Sequence, residues 1–239
     1  MPLTWIRARL LASLAAFALL LPGCAPAPLG SPAPRTVPYD YFAEPALGDA
    51  WSPKIAGWQE RERSASPVET TGSPASVSGS GHGGSPNATS APDLGAKFAS
   101  FRTEQRRALA RQVAEWIQTE ARTHYVPDGA VDHWATLSET LARGGEDCDG
   151  LELLVNRFLR DLGFGENEVY RAIVYRPADG QHHMVTLWFE DARDPWVIDP
   201  TGAMTTGMPQ MSELRDWVPL KVFSETREFT VRAAEHTAR

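Results

Sequence analysis

The chain has 239 residues, 42% of them hydrophobic and 22% charged, with 23 basic and 30 acidic side chains for a net charge of −7. An acidic balance of this size argues against a nucleic-acid partner, because phosphate binding needs a basic face. No CxxC pair, HExxH or Gly-rich phosphate loop occurs, and no internal repeat. Zinc clusters and nucleotide-binding motifs therefore have no support.

The first segment reads as an address. Arg7 and Arg9 form a basic start, and Leu10 to Leu21 is an apolar run. That run is too short to span a bilayer, which needs ~20 residues. A secretory signal over residues 1–23 is predicted. Its end, Leu21-Pro22-Gly23-Cys24, resembles a bacterial lipobox. The resemblance implies a lipid anchor at Cys24, and Ala25 after it implies sorting to the outer membrane, facing the periplasm. Losing residues 1–23, with Arg7 and Arg9, takes the charge from −7 to −9. It also leaves Cys148 as a lone thiol in an exported, oxidising compartment.

Residues 24–93 read as a Pro/Ser/Gly-rich tether. Ser64 to Pro92 has almost nothing to bury and cannot offset the entropy of ordering its backbone. His82 falls in this tract. Tyr39, Tyr41, Phe42, Trp51 and Trp58 precede it. They are either isolated aromatics in a stalk or a small segment docked on the domain.

The folded unit is predicted over 94–239. Leu109, Val113, Trp116 and Ile117 mark one stripe of a helix over Thr103–His124. A shorter helix covers Ala135–Arg143, broken by Gly144-Gly145. A third starts near Cys148, with Leu151, Leu154, Val155, Phe158, Leu159 and Leu162 on one stripe, and stops at Gly163. The period then drops to two. Strands are predicted at Val169–Tyr175, His182–Phe189, Trp196–Ile198, Val218–Phe223 and Glu228–Val231, with a turn at Asp179-Gly180 between the first two. Helices followed by an antiparallel meander give an α+β fold.

Cys148 falls in the first turn of the third helix, with Asp147 as N-cap. A helix N-terminus favours a thiolate, and the thiolate is the nucleophile. A buried free cysteine is equally a small hydrophobe. His183 opens a strand on the face of Val185, Leu187 and Phe189, where histidines are commonly satisfied core or rim residues. Asp199 ends the next strand, a position natural for a turn former. Adjacent antiparallel strands place His183 beside Asp199, both expected on the sheet side that packs the Cys148 helix. The three together make a thiol triad: Cys148 attacks, His183 moves the proton, Asp199 fixes the ring. His182, the rival base, alternates to the other face with Met184 and Thr186.

The stretch Trp134 to Cys148 (W-A-T-x-x-E-x-L-x-x-G-x-x-D-C), His183-Met184-Val185 and Asp199-Pro200-Thr201 resemble the bacterial transglutaminase-like cysteine proteinases. The three motifs come in order, 35 and 16 residues apart, over roughly residues 103–205. The resemblance implies a papain-like/transglutaminase-like core with Cys148, His183 and Asp199 catalytic. Periplasmic calcium-dependent members carry Asp-Cys-Glu-Asp at the nucleophile. Here Asp147-Cys148-Asp149-Gly150 stands, with one acid shortened and one missing. No cofactor is required, and calcium near Asp147 and Asp149 would find part of a site, since it takes 6–8 oxygens. Glu146, Asp147, Asp149 and Glu152 also crowd the thiol with negative charge and oppose its ionisation. For the oxyanion, the Cys148 N–H is the natural first donor, with His133 or Trp134 upstream as the second. Trp134 is otherwise core packing.

These residues predict an envelope thiol enzyme acting on an amide of a protein or peptide, by hydrolysis or by acyl transfer to an amine. Two rivals stand beside it. One is a cell-wall peptide hydrolase, although such thiol lipoproteins usually carry histidine where Asp199 stands. The other is a non-catalytic binding lipoprotein on the same scaffold.

Overall fold

The structure, a computed structural model, describes residues 39–65 and 93–234. In chain order these form β1 (Tyr39–Ala43), α1 (Ser52–Ser64), α2 (Leu94–His124), α3 (Leu137–Arg143), α4 (Cys148–Asp161), β2 (Val169–Arg176), β3 (Gln181–Trp188), β4 (Trp196–Ile198), a 3-10 turn at Met211–Glu213, β5 (Val218–Phe223) and β6 (Glu228–Ala233). The six strands make one antiparallel sheet in the order β1-β6-β5-β2-β3-β4. The α+β class expected from the sequence is the one observed.

The boundary at residue 94 is corrected. Residues 39–65 belong to the folded unit rather than to a tether. Tyr39 pairs with Ala233 and Ala43 with Thr230, so β1 is the sheet's edge strand. On α1, Ile55 and Trp58 are buried with Trp134, Leu137, Ile173 and Phe223. Polar ties hold the same segment. The Arg61 guanidinium donates to the Trp134 carbonyl at 2.6 Å, and Glu62 accepts the Leu137 N–H at 3.0 Å. Buried Lys221 of β5 pairs with Asp49 at 3.2 Å and Glu228 at 2.5 Å. The signal, Cys24, His82 and the Pro/Ser/Gly tract after Ala65 lie outside the described residues.

The helices cover one sheet face. α2 and α4 bury Val113, Ala114, Ile117, Leu151, Val155 and Leu159 against Val169, Trp188 and Ile198. The buried stripe of α2 is rotated toward its alanines, Ala110, Ala114 and Ala121, which let the helices approach closely. Trp116 and Phe158, expected inside, are exposed and meet edge-on at 5.5 Å. Leu162 is also exposed. The opposite sheet face carries Tyr170, Val174, Val185, Leu187 and Val222 under Met211 and Trp217.

One buried ion pair joins the layers. Glu152 of α4 and Arg171 of β2 are 0% and 1% exposed and hydrogen-bonded, and Thr186 of β3 donates to the same carboxylate at 2.5 Å. The Arg171 guanidinium lies 4.3 Å from the centre of the Trp58 ring, which stacks α1 onto the pair.

Candidate active site

Cys148 is the first residue of α4, and its Asp147 cap accepts the Asp149 N–H at 3.0 Å. This is the N-terminal arrangement read from the sequence. Gly150 has a different reason to be there than a lost acid. A Cβ at this position would lie 2.1 Å from the Glu146 Cγ and 2.9 Å from the Thr140 hydroxyl. Only glycine lets α4 start against α3. Two of the four acids expected to crowd the thiol are also matched: Glu146 by Arg143 at 2.5 Å, and Glu152 by Arg171.

Of the two opposed effects expected on the thiol, the helix terminus and the acidic surroundings, the second is the larger. Burial and then the Asp147 carboxylate push the Cys148 thiol up to about 12, and the Met184 N–H only partly offsets them. The helix-terminus effect is worth at most ~2 kcal/mol, less than the desolvation of a sulfur anion among carboxylates. Burial and the neighbouring carboxylate thus favour the neutral thiol over the thiolate.

His183 Nε2 lies 2.8 Å from Asp199 Oδ1, as the antiparallel arrangement predicts. The expected face is corrected. Met184 packs with Leu153, and Thr186 bonds Glu152, so those residues point to α4. His183 alternates to the other side, near Trp217, with ring centres 6.0 Å apart. β4 ends at Ile198, opposite Thr186, and beyond that point the β3 edge carries no further strand among the described residues. Cys148 and His183 line one cavity of about 240 Å³ and also share a groove with Thr201 and Ala203. His182, the rival base, lines both spaces too, on the face of Met184 and Thr186, its ring 5.1 Å from Trp51 and 4.9 Å from Tyr175.

Asp199 is enclosed by donors. Besides His183, Oδ1 accepts the Thr201 N–H at 2.9 Å, its hydroxyl at 3.1 Å and the Gly202 N–H at 3.1 Å. Oδ2 accepts the Met204 and Thr205 N–H groups at 2.6 and 3.0 Å. Burial alone would raise this carboxyl, but His183 and the backbone donors outweigh it and hold it below the usual range. An ionised Asp199 accepts only, so Nε2 carries the hydrogen of this bond.

Sequence reasoning missed several residues here. Gln118 of α2 donates to the Asp199 carbonyl at 2.9 Å and accepts the Gly207 N–H at 3.1 Å, pinning both ends of the loop. Trp51, Asp128 and Asp132 line the cavity. Their signal is tertiary: none sits in a motif. Trp134 is core as expected, stacked on Phe223 at 5.8 Å, and a cavity wall as well. His133 does not line the cavity; its ring lies 3.6 Å from Glu139.

The acids near the sulfur supply part of a cation site. Asp147 is spent on the cap, and among the described residues no three acidic, thiol or imidazole groups are placed to hold a metal. These residues make up part of a calcium site, which takes 6–8 oxygens.

No family model matches the chain, and no curated protein matches it. Similar solved structures are those of Legionella pneumophila LapG. The calcium-bound form is 17% identical with a TM-score of 0.45, over 51% of this chain and 66% of that one. A second LapG structure gives 17%, 0.46, 52% and 68%, and the EGTA-treated form 17%, 0.46, 52% and 67%. The alignment thus spans about two thirds of LapG's length, and at this level of similarity no activity is carried across.

Proposed function

We propose that the chain is a transglutaminase-like thiol enzyme that breaks an amide bond in an envelope protein or peptide. The observation that carries the reading is the His183–Asp199 pair, 2.8 Å apart, opening on the cavity that Cys148 lines. Cys148 Sγ attacks the carbonyl carbon while its proton passes to His183 Nδ1. Ionised Asp199 stabilises the imidazolium. As the tetrahedral carbon collapses, the C–N bond breaks and His183 gives the proton to the leaving amine. The thioester is then opened by water, or by an amine in acyl transfer, and the proton returns through His183 to sulfur. The N–H of Cys148 has no intrahelical acceptor at the first position of α4 and is free for the developing oxyanion.

A neutral resting thiol suits this sequence of events, because the proton leaves only as sulfur attacks. The same neutral thiol and its acidic surroundings favour the second reading, a binding module that never ionises the sulfur. The test is incubation of the full chain with envelope proteins beside a Cys148→Ser control. Fragments or crosslinks formed only by the parent support the enzyme. Their absence, with proteins retained equally by both forms, supports the binder. Lipid attachment at Cys24 and residence in the periplasm complete the proposal. Mass spectrometry of the membrane fraction checks the anchor. Among the described residues no helix is long and apolar enough to cross a membrane.

A further inference from the structure

The cavity beside Cys148 has a charge and shape that the thiol chemistry does not use. Three rings wall it: Trp51 from the start of α1, Trp134, and His182 from β3. Trp51 and Trp134 lie nearly parallel at 6.3 Å, and Trp51 meets His182 at 5.1 Å. Four carboxyl groups, Asp128, Asp132, Asp147 and Asp149, line the same space, and no lysine or arginine does so. Aromatic faces with carboxylates behind them are the chemistry of cation recognition.

The second observation is Asp149 itself. The residue is 3% exposed and faces the cavity, yet its Oδ1 has no hydrogen-bond partner. Arg171 acts on this carboxyl through charge and makes no hydrogen bond to it. That guanidinium gives Nε to Glu152 and Nη2 to the Asp149 backbone carbonyl at 2.8 Å. An unpartnered buried carboxyl costs free energy that a folded chain rarely spends without a ligand to recover it. The chain supplies its own precedent at the rim. Lys54 of α1 pairs with Asp132 and holds its ammonium 4.5 Å from the centre of the Trp134 ring.

We infer that this cavity binds an alkylammonium group, the lysine side chain of a protein substrate, with the stem along the wall that Trp51, Trp134 and His182 form and the ammonium at Asp149. The inference rests on the thiol-enzyme reading for its substrate class and extends it to a specificity. It also gives substrate binding a chemical consequence. The ammonium offsets Asp147 and Asp149, the carboxylates that oppose ionisation of the neighbouring sulfur.

The test uses the full chain carrying Cys148→Ser, so that binding is read without turnover. n-Butylammonium, n-butanol and calcium chloride are titrated separately while tryptophan fluorescence and thermal unfolding are followed. A saturable response to n-butylammonium, absent with n-butanol, is expected. Asp149→Asn and Trp51→Ala should each weaken it about tenfold or more, the loss of one charge-assisted contact or one cation–π face. The inference is overturned if n-butanol responds equally or if Asp149→Asn binds as tightly as the parent. It is overturned equally if only calcium stabilises the chain, which would make the cavity a metal site. Absence of amide cleavage by the parent chain would count against the enzyme reading and leave this binding result standing.

Discussion

Asp149 and Asp199 are two carboxyl groups at the same site, 3% and 0% exposed, with opposite electrostatic fates. Burial, then the charge of Asp147, pushes Asp149 up to about 8. Asp199 is held below the usual range although burial works on it too. The difference is the count of donors. Asp199 is met by His183, a hydroxyl and four backbone N–H groups, whereas the buried Oδ1 of Asp149 has no partner. Burial sets the cost of a charge, and the loop around it decides whether that cost is met. One carboxylate is thereby fixed as a permanent partner for an imidazole. The other is left open to whatever enters the cavity.

The comparison breaks first at Asp199. Asp199→Asn keeps the shape but presents an amide where donors converge, and it favours the wrong imidazole tautomer. Amide cleavage should fall about 10⁴-fold, measured as kcat/KM on whichever envelope substrate the incubation identifies. The Glu152–Arg171 pair supplies the intermediate case, a buried carboxylate matched by a cation instead of backbone. Arg171→Met leaves Glu152 alone in the core and should cost about 3–5 kcal/mol in urea unfolding. The double substitution with Glu152→Gln should recover part of that loss.

Asp149 makes a prediction in pH. Its folded-state pKa lies above the unfolded value of 3.8. Between the ordinary carboxylate range and pH 8 the unfolded chain therefore binds fewer protons than the native one. Stability falls as pH rises through that window, with a slope of up to ~1.4 kcal/mol per pH unit from this group, and levels off above it. Asp149→Asn should remove that part of the slope in thermal unfolding and be the more stable form at pH 8. Asp199 acts in the opposite sense. Its contribution is complete above the ordinary carboxylate range and is lost as pH falls through its depressed folded value. The smallest effect belongs to Gln118, which holds the Asp199 loop only through backbone atoms. Gln118→Ala should cost about 1 kcal/mol and loosen exchange of the Met204 and Thr205 amides.

Much of this was legible in the chain. The period-two strands and the turn at Asp179-Gly180 fall where alternation places them, and β4 and β5 have the bounds read from sequence. The Cys148 helix with its Asp147 cap is a local signal, and so is Asp199 at a strand end. What escaped is non-local. β1 pairs with β6, nearly the whole chain away, and its five residues sit in Pro-rich surroundings that dilute any pattern. α1 buries only Ile55 and Trp58 of thirteen residues, too few for a stripe. Losing that segment from the sequence reading also lost Trp51 and Lys54 from the site. The face of His183 was misjudged because alternation gives a residue's side of the sheet but not where the neighbouring strand stops. The helix terminus and the opposing acids at the sulfur were both visible in sequence, but the depth of burial that decides between them was not.

Acylation of Cys148 by p-nitrophenyl acetate tests the central claim most directly. The parent chain should release p-nitrophenol in a burst and gain one acetyl group, located on Cys148 by mass spectrometry. His183→Ala should slow that burst about 10²–10⁴-fold. No acetyl group on Cys148, or a burst indifferent to His183→Ala, would contradict the account.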